Sequence, residues 1–126
     1  MQTDDIKKII KDLGLDFDKV TINKDNSIDY NGDIDISFKG LDKMPIKFNI
    51  VKGDFDCSNN KLTDLNGVPI ECNNFDCYNN KLRSLEYAPK KCNHFGFYIE
   101  EIKEVTFKEP AYVLKLLKYE KPELFK

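Results

Sequence analysis

A unit of 20 residues occurs twice in succession, in residues 53–72 and 73–92, and it constrains the fold more than any other feature. The two copies share the order Phe-Asp-Cys, then Asn-Asn-Lys-Leu, then Leu, Pro and Cys. The matched pairs are Phe55/Phe75, Asp56/Asp76, Cys57/Cys77, Asn60/Asn80, Leu62/Leu82, Leu65/Leu85, Pro69/Pro89 and Cys72/Cys92. Self-similarity at this period is typical of stacked repeats, in which each unit packs only on its neighbours. The repeat therefore predicts a small solenoid.

A weaker copy lies on each side of the two clear ones. Residues 33–37 match residues 54–58, although Lys39 stands where the clear copy has Asn60. Residues 94–98 match residues 74–78 in the same way. Terminal units of a stack face water or a cap on one side, so they are expected to depart from the consensus. We therefore predict about four stacked parallel rungs, of which two are clear and two are degenerate.

The residues before the repeats predict an N-terminal cap. Apolar residues at helical spacing predict a helix that Gly14 ends. These residues are Ile6, Ile9, Ile10 and Leu13. From Val20 to Tyr30 the apolar residues alternate instead, around the polar run of residues 23–27, which predicts a β-hairpin.

The residues after the repeats predict a second helix. Pro110 suits the first turn of a helix, Val113, Leu114 and Leu117 give it an apolar stripe, and Pro122 should follow its end. Two roles remain open for it, a cap on the stack or a detachable element that binds a partner.

The whole chain of 126 residues is then one α+β domain. Within it, residues 1–30 form the N-terminal cap helix and hairpin, residues 31–107 the repeat stack, and residues 108–126 the C-terminal cap helix.

Composition argues against several classes of function. The net charge of −2 disfavours a protein that binds nucleic acid by neutralising phosphates. The sequence has no apolar run of the roughly 18 residues that a membrane helix needs, and we expect neither a membrane segment nor a secretion signal. The four cysteines, at positions 57, 72, 77 and 92, form no Cys-x-x-Cys pair, so we expect reduced thiols in the core and no metal or other cofactor.

The repeat also predicts which side chains share a surface. Side chains alternate along a strand, so Phe55 and Cys57 should face inward, and Asn60 and Asn80 should be buried with their amides bonded to backbone. One outward column should hold Asp35, Asp56, Asp76 and Gly96. The next should hold Ser37, Ser58, Tyr78 and Tyr98, with His94 at the head of the last strand. The candidate partner-binding residues are therefore Asp35, Asp56, Asp76, Ser58, Tyr78, His94 and Tyr98.

Each outward column also has a plainer interpretation. The aspartates repel one another in register, and a solvated face tolerates this whether or not a cationic partner binds there. The two tyrosines are either exposed interface anchors or residues packed under the C-terminal helix.

The pattern Phe-x-Cys-x-x-Asn-x-Leu-x-x-Leu-x-x-x-Pro resembles a leucine-rich repeat. Residues 53–63, Gly-Asp-Phe-Asp-Cys-Ser-Asn-Asn-Lys-Leu-Thr, more narrowly resemble the short leucine-rich-repeat proteins encoded by tailed bacteriophages and some large DNA viruses. The resemblance covers roughly residues 25–100, and the chain departs from it in having only two good copies and a long basic-leaning tail. It implies the fold and a viral origin, and leucine-rich repeats in general are protein-binding scaffolds.

We therefore predict a non-enzymatic interaction protein in the host cytoplasm. It should bind a host or viral protein through the strand face, and the predicted outcome is inhibition of a host defence protein. Two alternatives are a weak calcium site formed by Asp35, Asp56 and Asp76 and a self-associating structural module. A remote alternative is a carbohydrate-active enzyme that uses the stacked aspartates.

Overall fold

The repeated segments form four parallel strands that pair in register in the computed structural model, which describes residues 3–126. The described residues contain seven strands in all, β1 (Val20–Ile22), β2 (Ile28–Tyr30), β3 (Ile34–Asp35), β4 (Phe48–Val51), β5 (Phe55–Asp56), β6 (Asn74–Asp76) and β7 (His94–Gly96). The repeated segments contribute β3, β5, β6 and β7. One sheet has the order β3-β5-β6-β7, and it pairs Ile34 with Phe55, Phe55 with Phe75, and Phe75 with Phe95. The predicted alignment of both weaker copies with the clear ones is therefore confirmed.

A second sheet runs along another side of the stack. It has the order β1-β2-β4, with β1 antiparallel to β2 and β2 parallel to β4. The predicted hairpin around residues 23–27 is therefore confirmed. Single bridges from Ile50 to Glu71 and from Glu71 to Lys91 continue this ladder through the later repeats. Each repeat thus contains a second extended segment, which the sequence reasoning missed.

The space between the two sheets is filled by the predicted inward column. Phe55, Phe75 and Phe95 stack nearly parallel, with ring centroids 5.8 and 5.4 Å apart. Leu62, Leu65, Leu82 and Leu85 are buried beside them, as are Cys57, Cys72 and Cys77. Burial in this apolar core raises the pKa of Cys72 to about 12, so its thiol stays protonated. The prediction of core cysteines is confirmed for these three, whereas Cys92 is half-buried.

Asn60 and Asn80 hold successive units together. The Asn60 amide group donates to the carbonyls of Ile36 and Cys57, both at 3.0 Å. Its oxygen accepts from the backbone N–H groups of Lys39 and Leu41, also at 3.0 Å. Asn80 repeats the arrangement one unit later, because its oxygen accepts from the Leu62 N–H at 3.0 Å. Both side chains are buried, so the prediction made for them is confirmed.

Two α-helices, α1 (Thr3–Asp12) and α2 (Ala111–Glu120), complete the described fold. Ile6 and Ile10 of α1 are buried in the common core, and Gly14 follows with a left-handed φ of 76°, a conformation that suits glycine. No helix within residues 3–126 is long and apolar enough to cross a membrane.

Helix α2 packs against the last unit of the stack. Its residues Val113 and Leu117 are fully buried, and the Tyr112 hydroxyl donates to the Pro89 carbonyl at 2.6 Å. This placement favours a cap over a detachable helix.

Candidate functional site

The three aspartates of the predicted outward column lie side by side. Asp35 pairs with Asp56, and Asp56 pairs with Asp76, in directly adjacent strands. The column ends at Gly96, which pairs with Asp76. Three carboxylates in one file repel one another, so this face attracts cationic groups.

The environment of the carboxylates changes along the column. Asp35 is exposed and accepts hydrogen bonds from the Ser37 hydroxyl and N–H, and these bonds lower its pKa. Asp56 accepts from the Ser58 N–H at 2.9 Å. Asp76 is half-buried, and desolvation, followed by the charge of Asp56, raises its pKa, although His94 partly offsets this. The negative charge is therefore least stabilised at the β7 end of the column.

Gly96 allows the column to end as it does. A Cβ atom at this position would collide with Asp76 Oδ1 and with the hydroxyl of Tyr78. The absence of a side chain therefore lets both groups lean over the last strand.

Tyr78 and Tyr98 form one aromatic surface next to this point. Their rings meet edge to face with centroids 5.0 Å apart. Tyr98 is 48% exposed, and Tyr78 is half-buried. Neither hydroxyl is hydrogen-bonded to another residue within 3–126. Tyr98 is thus an exposed residue and is not buried under α2, which favours the interface interpretation left open above.

Two other predicted site residues have different positions. His94 is exposed at the start of β7, as expected. Ser58 was predicted to face outward, and this is wrong, because only 5% of it is exposed. Its hydroxyl accepts the Tyr78 N–H at 3.0 Å, as a backbone carbonyl of the ladder would. The Ser58 side chain therefore lies between the two strands. Ser58 therefore positions Tyr78 and offers no surface to a partner.

A hollow of about 390 Å³ continues the tyrosine surface towards α2. It is lined by Tyr78, Phe95, Phe97, Tyr98, Ile99, Glu100, Leu116 and Glu120. The sequence reasoning missed Glu100, Leu116 and Glu120. The sequence marks Glu100 weakly as unusual. It lies 20 residues after Asn80, where the repeat pattern would place another asparagine. Nothing in the repeat pattern indicated that α2 would bring Leu116 and Glu120 to the same place.

Glu101 is a further residue that the pattern did not identify. Its Oε1 accepts the Asn80 N–H at 2.7 Å, much as the Asn60 oxygen accepts the Lys39 N–H between the first and second units. Its Oε2 is buried and has no hydrogen-bond partner within the described residues. Desolvation is the largest cause of the raised pKa of Glu101, and the nearby charge of Glu100 adds to it.

Other parts of the surface offer less distinct chemistry. A hollow of about 440 Å³ beside the hairpin is lined by Asp18, Asp29, Lys19 and Lys52, among others, so its charge favours neither sign of ligand. Across residues 3–126 no three His, Cys, Asp or Glu side chains come together in a way that could hold a metal ion.

Comparisons with protein-family models, with curated proteins and with solved structures gave no match. The likeness to leucine-rich repeats therefore depends on the residues quoted above.

Proposed function

We propose that this chain is a small leucine-rich-repeat-like binding module that recognises a protein through the outer face of β3, β5, β6 and β7. The observation that carries the proposal is the file of Asp35, Asp56 and Asp76, which runs in register towards the exposed Tyr98. Tyrosines next to a charged strip supply the two ingredients of a selective interface, namely contact area and electrostatic complementarity.

The partner that best fits this face is a protein with a basic surface. The face carries carboxylates in one column, and His94 is the only imidazole in the chain. A partner that presents Lys or Arg would relieve the repulsion within the column, and charges at the rim would speed association.

In the same proposal the chain acts without chemistry of its own, in the cytoplasm of a host cell. The resemblance to short phage leucine-rich-repeat proteins supports a host protein as the target and inhibition of that protein as the outcome. Within this proposal the host target is a defence protein.

The test is an affinity capture from bacterial lysate, read by mass spectrometry. The native chain is compared with the triple variant Asp56→Lys, Asp76→Lys, Tyr78→Ala. A matched control carries Asp42→Lys, Asp64→Lys and Tyr119→Ala, which make the same changes at exposed positions outside the face.

A protein captured by the native chain and by the control, but lost with the face variant, would support the proposal. Capture of the same protein by all three chains would show that another surface binds it. If no chain captures a protein above background, the host-target proposal fails.

A further inference from the structure

The open edge of β7 carries a backbone donor that is used in every earlier unit. The N–H of Ile36 donates to the Asp56 carbonyl, the N–H of Cys57 to the Asp76 carbonyl, and the N–H of Cys77 to the Gly96 carbonyl, each at 2.9 Å. Phe97 is the next member of this series, 20 residues after Cys77. Its N–H has no hydrogen-bond acceptor within residues 3–126. By the same geometry it points to the edge of the sheet, where a further strand would lie.

The hollow described above lies against this edge. One wall consists of Phe97, Tyr98 and Ile99, and the other consists of Leu116 and Glu120 of α2. Phe97 is half-buried, and its N–H is a strong donor for which the described residues supply no acceptor, unlike the equivalent N–H groups of the earlier units. The edge therefore lacks an extended backbone to supply the acceptor.

The charge of the hollow selects among possible strands. Among the described residues, Glu100 and Glu120 contribute the two charged groups of its lining, and no Lys or Arg lines it. The ammonium groups of Lys103 and Lys121 are hydrogen-bonded to the backbone carbonyls of Glu100 and Ile102 instead. Two carboxylates beside the exposed ring of Tyr98 suit a cationic side chain, which gains both charge pairing and contact with an aromatic face.

We propose that the β7 edge binds an extended segment of the partner as a fifth parallel-sheet strand, with a Lys or Arg side chain between Tyr98 and the carboxylates of Glu100 and Glu120. Main-chain hydrogen bonds, beginning with the Phe97 N–H, supply affinity, and alternate side chains supply selectivity. An apolar side chain on the other face of the segment packs on Phe97 and Leu116. The inference rests on the proposed binding function and names the chemistry of the segment that is bound.

A second copy of the chain fits this edge poorly. Pairing of β7 with β7 by a two-fold axis would place the same surface patch on both sides of the interface. Glu100 and Glu120 of one copy would then face Glu100 and Glu120 of the other, and like charges facing each other across a strand pair are destabilising. A basic peptide meets no such repulsion.

The test uses two capped hexapeptides of alternating residues, Lys-Val-Lys-Val-Lys-Val and Glu-Val-Glu-Val-Glu-Val. Each is titrated into the uniformly ¹⁵N-labelled full chain, and backbone amide shifts and hydrogen exchange are followed by NMR. We expect the lysine peptide to bind with a dissociation constant on the order of 1 mM, as befits a short free segment. It should shift the Phe97 and Tyr98 amides and slow exchange at Phe97. The glutamate peptide should bind at least about tenfold more weakly.

Variants then separate the hollow from its surroundings. Glu120→Gln and Tyr98→Ala should each weaken binding of the lysine peptide by about threefold to tenfold. The controls Glu104→Gln and Tyr119→Ala change exposed residues that do not line the hollow, and they should leave its affinity unchanged. A lysine peptide with N-methylated backbone amides keeps its carbonyls but loses the N–H donors of a strand ladder, so it should bind more weakly than the parent peptide.

Three outcomes would overturn the inference. These are equal binding of the glutamate peptide, unchanged Phe97 exchange at saturating lysine peptide, and a concentration-dependent Phe97 shift without peptide, which would indicate a second copy. Failure of this inference can be told apart from failure of the proposed binding module. If the face variant loses its captured partner while lysine peptide leaves Phe97 untouched, the module stands and the edge site fails. If Phe97 responds while no partner is captured, the edge site stands and the host-target proposal fails.

Discussion

The middle units of the stack and its last unit use the same repeat positions but satisfy their polar groups to different extents. In the middle units Asn60 and Asn80 use both ends of their amides, donating to carbonyls and accepting from N–H groups of neighbouring units. In the last unit Glu101 takes over the accepting role towards Asn80. A carboxylate has no N–H to donate, and within residues 3–126 its second oxygen accepts no hydrogen bond.

The same contrast holds for the backbone and for the surface. The N–H groups of Cys57 and Cys77 are bonded to the next strand, whereas that of Phe97 has no acceptor in the part of the chain that the structure describes. The acidic column of the middle units gives way to Gly96 and the exposed Tyr98. The middle units thus specify the fold, and the last unit keeps groups that a ligand can use, in keeping with the rule that local inconsistencies gather at functional sites.

The largest expected effect tests the packing side of this comparison. Phe75 is fully buried between the rings of Phe55 and Phe95, and Phe95 is only half-buried. Phe75→Ala should lower the free energy of unfolding by about 4 kcal/mol, and Phe95→Ala by about 2 kcal/mol, since the second cavity is partly open to water. Urea denaturation monitored by circular dichroism measures both. Equal losses would mean that the last unit is packed as fully as the middle ones.

The next effect concerns the buried amides. Asn80→Ala should cost about 3 kcal/mol, because it strands the Leu62 N–H and the carbonyls of Cys57 and Cys77 without partners. Asn80→Asp should cost nearly as much, since a carboxylate keeps the acceptor and loses the donor. Asn66→Ala, at an exposed side chain, is the matched control and should change stability by less than about 0.5 kcal/mol. A mild Asn80→Asp would contradict the account given for Glu101.

Glu101→Gln should raise the free energy of unfolding at pH 7 by about 1 kcal/mol. Glutamine keeps the acceptor for the Asn80 N–H and adds an N–H group where Oε2 now lacks a partner. The native Glu101 has a raised pKa, so the folded state binds its proton more tightly than the unfolded chain does. Its favourable contribution is present below the ordinary pKa of 4.5 and is lost as the pH rises through the folded value.

The advantage of Glu101→Gln should therefore grow as the pH rises from about 4 to 7. Thermal melts of both chains across this range check the slope. The difference between the two chains isolates Glu101 from Asp25 and Asp35, whose lowered pKa values act in the opposite direction in both. A constant difference would show that Glu101 does not titrate in this range.

The sequence predicted the parts of the fold that repeat. The spacing of 20 residues placed Phe55, Phe75 and Phe95 in one column, and it marked Asn60 and Asn80 as buried, because equivalent positions in a stack have equivalent surroundings. The second ladder through Glu71 was missed, because its members in the clear repeats, Glu71 and Lys91, are charged residues two positions after a proline. It is held by single bridges between short extended segments, which leave little pattern.

The candidate site was only partly predictable for a related reason. Asp35, Asp56 and Asp76 lie in the strands, where side chains alternate between the two faces of the sheet. The sequence position of each aspartate therefore predicts the face on which it lies. Ser58 lies just after a strand, where the chain turns and its hydroxyl is drawn in to bond the Tyr78 N–H. Leu116 and Glu120 reach the hollow through the docking of α2, a tertiary contact that no local pattern encodes.

The smallest expected effect compares two aspartates of the same column. Asp76→Asn should stabilise the fold by about 0.5 kcal/mol at pH 7, because it removes the repulsion by Asp56 and the desolvation of a charge. Asp35→Asn should destabilise by a similar amount, since Asp35 is held as a carboxylate by the Ser37 hydroxyl and N–H. As the pH falls through the raised pKa of Asp76, the native side chain becomes neutral and the gain from Asp76→Asn should disappear. Paired thermal melts at pH 7 and near pH 4 measure the two signs. A gain from both variants would mean that repulsion along the column outweighs the local hydrogen bonds at Asp35 as well, and that the whole column, rather than its β7 end alone, is destabilised by its own charge.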